Sequence, residues 1–118
     1  MQYLLLIYSD EKAEANASKE EMDAWMGEYL AYTEAMRKSG AYKGGEALHP
    51  TSAATTVRVQ NGKKITTHGP FAETKEQLGG YYLLDCKNLD EAIEWAAKCP
   101  GARVGSIEVR PVADFSQA

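Results

Sequence analysis

His68-Gly69-Pro70-Phe71-Ala72-Glu73-Thr74-Lys75-Glu76-Gln77-Leu78-Gly79-Gly80 gathers a rigid turn, two carboxylates, a lysine and a glycine pair into one short stretch, directly ahead of an apolar run. No other part of the chain is so dense in special chemistry. Just upstream, Thr55-Thr56-Val57-Arg58-Val59-Gln60 and Lys63-Lys64-Ile65-Thr66-Thr67 flank Asn61-Gly62. Asn-Gly between two β-branched alternating runs is the strongest local hairpin signal, because both central residues must reach positive φ. Just downstream, Gly79 to Cys86 reads as another strand.

Further out, Tyr3 to Tyr8 is a continuous leucine-rich run that suits a central strand or one covered on both faces. Ser18 stands three residues before Glu21, the spacing of a capping box. Met22, Trp25, Met26, Tyr29, Leu30, Thr33 and Met36 then recur at helical spacing on one face, which predicts an amphipathic helix over about 18–39, stopped by Ser39-Gly40. Asn88 caps a second helix with Glu91 as its reciprocal partner, and Leu89, Ala92, Ile93, Ala96 and Ala97 form its expected buried stripe. Pro100-Gly101 ends that helix, and Ser106-Ile107-Glu108-Val109-Arg110 alternates as a last strand. The order is strand, helix, strand, hairpin pair, strand, helix, strand. Two helices on one face of a mainly antiparallel sheet is the simplest packing, consistent with an α+β ferredoxin-like sandwich, with strand order left open by the pattern.

Composition bounds the rest. At 118 residues the chain fits a single domain, 1–118. Its 44% hydrophobic and 25% charged residues lie in the ordinary soluble range. The apolar run at 3–8 is far short of a membrane helix and has no basic region or cleavage signal around it, so a soluble, cytoplasmic protein is expected. Cys86 and Cys99 are too few for a disulfide framework or zinc finger and read as reduced thiols. With 17 acidic and 13 basic residues and no basic stripe, direct nucleic-acid binding is not expected. No metal-ligand spacing and no phosphate-binding glycine loop occur, so neither a metal nor another cofactor is expected.

The 68–80 stretch resembles the signature of the YCII-related family, in the branch called DGPF-domain proteins, where an aspartate usually stands at the position of His68. The resemblance extends from Tyr3 to Val112 through Gly45-Glu46-Ala47-Leu48-His49-Pro50, Ala54-Thr55-Thr56-Val57-Arg58, Asp90-Glu91-Ala92-Ile93-Glu94-Trp95-Ala96 and Glu108-Val109-Arg110-Pro111. It implies a dimeric α/β barrel, in which each subunit's bare sheet face is closed by its twin, and hence a homodimer. The wider family's suggested catalytic pair, a histidine near the first helix with an aspartate, does not transfer, because the helix at 18–39 contains no histidine. Members of the branch occur beside or fused to extracytoplasmic-function sigma factors. This implies an indirect regulatory link, since the chain has no helix-turn-helix segment of its own.

The candidate site residues follow from side-chain chemistry. His49 and His68 are the only imidazoles, the groups best suited to move a proton near neutral pH, and both fall in loops. His49 precedes Pro50 and matches the family pattern; His68 precedes the Gly69-Pro70 turn. Either ring serves as an acid-base group or merely faces water. Glu73 and Glu76 follow the rigid turn as supporting carboxylates, or form a solvated network with Lys75. Arg58 is the expected anion holder, with Arg110 a second candidate, if their strands turn them into a cavity. Tyr81 and Tyr82 face opposite sides of one strand, and Tyr82 is the expected pocket residue. These assignments describe a small polar or anionic metabolite bound in a sheet-lined cavity, with cofactor-independent acid-base catalysis. The alternative is a non-catalytic ligand sensor or partner-binding module.

Overall fold

The protein is described here by a computed structural model covering residues 1–117. Its strands are β1 (Gln2–Ser9), β2 (Tyr42–Ala47), β3 (Thr55–Gln60), β4 (Lys63–His68), β5 (Gln77–Asp85) and β6 (Ser106–Pro111). Its helices are α1 (Glu11–Glu14), α2 (Lys19–Ser39) and α3 (Leu89–Lys98). Four strands form an antiparallel sheet in the order β2-β5-β1-β6, while β3 and β4 form a separate two-stranded sheet. Without the hairpin, the sheet strands run fourth, first, third, second in chain order around the two long helices. This is the ferredoxin-like arrangement, with the hairpin inserted between its second and third strands.

Local chemistry sets the element ends. The Ser18 hydroxyl accepts from the Glu21 N–H at 3.1 Å and donates to the Glu21 carboxylate at 3.2 Å. Gly40 ends α2 with φ 84°, a conformation without cost only for glycine. Asn88 accepts from the Glu91 N–H at 3.0 Å, and the Glu91 carboxylate reaches back to the Lys87 N–H at 3.2 Å. Asn61 and Gly62 both have positive φ, 52° and 76°, as a tight hairpin turn demands. The short helix α1, capped by Asp10, was not expected; its four residues carry no apolar period to announce it.

The core lies between the helices and one face of the sheet. Tyr3 and Leu5 of β1 and Leu84 of β5 meet Tyr32 and Met36 of α2 and Ala92 and Ala96 of α3. The Tyr32 hydroxyl donates to the Trp95 carbonyl at 2.7 Å, and the Tyr29 hydroxyl accepts from the Gly101 N–H at 3.1 Å, so both polar ends are satisfied where α2 meets α3. The expected helix stripes are too wide. Met22, Met26 and Leu30 on α2, and Leu89 and Ile93 on α3, are exposed, whereas Tyr32, outside the expected stripe, is buried. A helix lying on a four-stranded sheet buries only the arc that touches it, and periodicity does not say where that arc stops.

Cys86 and Cys99 are free and buried. Desolvation pushes both thiols above their ordinary value, which keeps them protonated and unreactive near neutral pH. Iodoacetamide is therefore expected to label neither in the native protein and both in denaturant, as read by mass spectrometry. Rapid labelling of the folded protein would contradict this packing.

Candidate functional site

Strand alternation divides each sheet strand between two environments. Tyr3, Leu5, Ile7, Tyr82, Leu84, Ile107 and Val109 belong to the core or pack against it. Leu4, Leu6 and Tyr8 of β1 therefore point to the opposite face, which carries no helix. There they pair in register with Arg110, Glu108 and Ser106 of β6 on one side and with Leu83, Tyr81 and Leu78 of β5 on the other. The bare face is thus apolar along its middle and polar along β6.

The polar side holds a connected cluster. The Tyr8 hydroxyl donates to Glu108 Oε1 at 3.2 Å, and Arg110 Nε donates to Glu108 Oε2 at 2.9 Å, with Nη2 on the same oxygen. The guanidinium's hydrogen bond holds the Glu108 carboxyl below its usual range, with a smaller push in the same direction from Tyr8. Desolvation, reinforced by the neighbouring carboxylate, raises Tyr8 above the ordinary phenol value. Glu108 in turn raises the Arg110 guanidinium. Near neutral pH the cluster is therefore a protonated phenol, a carboxylate and a cation. Its unused donors, on Arg110, suit an oxyanion.

A second network gathers loops at the Ser9 end of the sheet. The Glu11 carboxylate accepts from the Thr51 N–H at 2.9 Å and the Thr51 hydroxyl at 2.8 Å, and the Glu11 N–H donates to the Gln77 side-chain oxygen at 2.9 Å. Gln77 Nε2 donates to the Thr74 carbonyl at 2.6 Å. The Ser106 hydroxyl donates to Glu76 Oε1 at 2.9 Å, beside Tyr8 in the β1–β6 register. Helix α1 thus pins the 48–51 loop, which carries His49, to the same sheet end as the 70–76 loop.

The sequence-derived candidates fall into four groups. Glu76 is brought beside the bare-face cluster through Ser106. His49, His68 and Glu73 are exposed, and no hydrogen bond or ion pair joins any two of them among the described residues; His68 sits at the end of β4 opposite Thr55. Arg58 lies exposed on the hairpin opposite Ile65, in the separate two-stranded sheet. Tyr82 is corrected by the register: its hydroxyl shares a 2.8 Å hydrogen bond with Thr33, and its ring meets Tyr32 and Tyr42 edge-on, so it belongs to the helix-facing layer. Tyr81 is the member of the pair on the bare face. Tyr8 and Glu108 escaped the sequence reading. The available signal was alternation: with Ile107 and Val109 inward, Glu108 and Arg110 must share the other face.

Two shallow depressions flank α3, one lined by Ile93, Ala97 and Val109, the other by Tyr32, Trp95, Lys98 and Arg103, and neither contains the polar cluster. Among the described residues, no three His, Cys, Asp or Glu side chains converge as a metal-ligand set, and no helix is long and apolar enough to cross a membrane.

A ferredoxin-like α+β unit with a polar cluster on its helix-free sheet face defines the class. Within it the chain belongs to the YCII-related family, whose domain profile matches residues 1–116. An uncharacterized protein of Rhizobium meliloti (strain 1021) is 44% identical over 115 residues, covering 96% of this chain and 93% of that protein. Among solved structures, the chain is similar to 5-chloro-2-hydroxyhydroquinone dehydrochlorinase from Burkholderia phenoliruptrix AC1100, in complex with 2,5-dihydroxybenzoquinone. The TM-score is 0.56 at 13% identity, covering 99% of this chain and 98% of that one, a likeness of fold.

Proposed function

We propose that the protein is a cytoplasmic homodimer that closes its bare sheet faces against each other and binds a compact anionic metabolite in the space between them. The observation that carries this reading is the Tyr8–Glu108–Arg110 cluster on the helix-free face of the four-stranded sheet. Arg110 is the anion holder, and Glu108, which also accepts from the Tyr8 hydroxyl, orients it. His49, on the pinned loop, is the proposed acid-base group that moves a proton near neutral pH; Glu76 and Glu73 are rim groups of the 70–76 loop, His68 a further imidazole at the end of β4, and Arg58 a second cation on the hairpin. Such a pocket, apolar with a few convergent polar groups, is the usual form of a small-molecule site. The dehydrochlorinase of similar fold binds a dihydroxylated quinone. Planar oxyanions, carboxylates and acidic phenols, are therefore the substrates to try first.

The alternative, a ligand sensor linked indirectly to a sigma factor, is favoured by one observation. Glu108 is displaced downward and Tyr8 upward, so neither is poised to exchange a proton near neutral pH. A thermal-shift screen with small carboxylates and phenolic acids separates the readings, because a ligand that binds only the native state raises the melting temperature. Arg110→Met is expected to weaken any such ligand by roughly 10–100-fold, the loss of about 1.5–3 kcal/mol from a charged hydrogen bond. His49→Gln is expected to abolish turnover while leaving binding intact if the protein is an enzyme. A ligand indifferent to Arg110→Met would remove the site. Leu6→Asp, which places a charge in the middle of the bare face, is expected to sediment as a monomer with unchanged far-ultraviolet dichroism.

A further inference from the structure

Among the described residues the β3–β4 hairpin is a sheet of its own, paired with no other strand. Every residue of its two strands except Thr56 is exposed, including Val57 at 57%, Val59 at 70% and Ile65 at 41%. The bonds at its base, from the Gly69 N–H to the Ala54 carbonyl at 2.7 Å and from the Thr56 hydroxyl to the Gly69 carbonyl at 2.8 Å, join its two strands to each other. An isolated two-stranded hairpin is marginally stable at best, so one with apolar side chains in water calls for a surface to lie on. The overall shape agrees: the radius of gyration is 16.5 Å, against roughly 13–14 Å for a compact domain of this length.

The hairpin's chemistry indicates what that surface is. It takes Arg58, Lys63 and Lys64 from a chain with 13 basic and 17 acidic residues, and contains no acid. None of the three cations is in an ion pair among the described residues. On α2, exposed Met22, Met26 and Leu30 follow one another at four-residue spacing and form a stripe. Helical geometry puts the exposed acids Asp23 and Glu34 along one border of that stripe, with Lys19 and Arg37, the latter stacked on Tyr42, in line with it beyond its two ends. The chain thus displays a cationic apolar arm and an apolar helix flank edged by acids, without using either on the other.

We infer that the hairpin is an arm that reaches over a second copy of the chain and lies on the Met22–Met26–Leu30 flank of that copy's α2. This deepens the two-copy reading above and rests on it. The interface is isologous: each copy gives one arm and receives one.

The test is the self-association constant by sedimentation equilibrium, with circular dichroism confirming the fold of each variant. Val59→Asp in the arm and Met26→Asp in the helix flank are each expected to weaken association by about tenfold or more. Reversing the arm's charge with Arg58→Glu, Lys63→Glu and Lys64→Glu is expected to weaken it similarly, and Asp23→Lys with Glu34→Lys to restore part of the loss. A wild-type dimer whose constant moves less than about twofold in both Val59→Asp and Met26→Asp overturns the arm, whatever Leu6→Asp does. If Leu6→Asp stays dimeric while the arm variants dissociate, the arm stands and the bare-face closure falls. A strictly monomeric wild type, or an arm that binds only heparin or DNA with no effect on self-association, overturns the inference.

Discussion

Gly105→Ala is expected to destabilise the protein by about 3 kcal/mol, the upper part of the range for overpacking, and to lower its melting temperature by roughly 10–15 °C. A Cβ at this position would lie 2.1 Å from the Tyr8 carbonyl oxygen and 3.2 Å from the Ser9 Cα. Both are backbone atoms, so no rotamer change relieves the clash, and β6 must move away from β1. The displacement falls where Tyr8 pairs with Ser106, at the root of the polar cluster. Loss of stability should therefore be accompanied by loss of whatever binds at Arg110. Gly79→Ala is the control: its added Cβ would have only the Ile7 carbonyl, at 4.0 Å, as a neighbour. A melting temperature for Gly105→Ala within about 2 °C of wild type, on the usual scale for a domain of this size, would mean that β6 approaches β1 less closely than described.

Leu5→Ala is expected to cost about 2–5 kcal/mol, the range for emptying a fully buried leucine site. Leu5 has no exposed surface and lies in one of the two inner strands, beneath both long helices. Urea unfolding should show a lower midpoint with an unchanged slope, since the surface exposed on unfolding is nearly the same. Leu6→Ala on the opposite face should cost less when measured at concentrations where the chain is monomeric, because Leu6 is only half-buried there. The two neighbours would separate the two faces of β1: one holds the subunit together, the other is available to something else. Equal losses in the two variants would contradict that division.

The punctuation of the fold is local chemistry and was therefore legible in the chain. Ser18 and Gly40 bracket α2, Asn61-Gly62 makes the hairpin turn, and Asn88 opens α3, each through groups no more than a few residues apart. Less legible was anything that depends on what lies across from an element. Met22, Met26 and Leu30 fall in the same helical periodicity as Trp25, Tyr29 and Met36, and only the width of the sheet decides which set is covered. Alternation requires Tyr81 and Tyr82 to face opposite ways but does not say which meets the helices; that follows from the pairing of Tyr82 with Leu5. The polar cluster is harder still, because Tyr8 and Glu108 stand a hundred positions apart and meet only when β6 lies along β1. Attention to imidazoles and to the Gly-Pro-Phe turn led instead to His49 and Glu73 in loops and to His68 at the end of β4, all of them exposed.

The place of the hairpin in the chain also bears on how the protein can vary. Leu48 and Gly79 are already joined by a 2.9 Å hydrogen bond from the Leu48 N–H to the Gly79 carbonyl, so the β2–β5 pairing continues up to the point where the intervening segment departs. Lengthening or shortening that excursion changes the entropy of closing it by only about 0.6 kcal/mol per doubling. The hairpin part of the excursion, between the Thr51 and Gln77 anchors, can thus be lengthened, shortened or recharged while the sheet and its helices keep their geometry. Scaffold and reach are separately adjustable in this architecture, and one could be redesigned without re-solving the other.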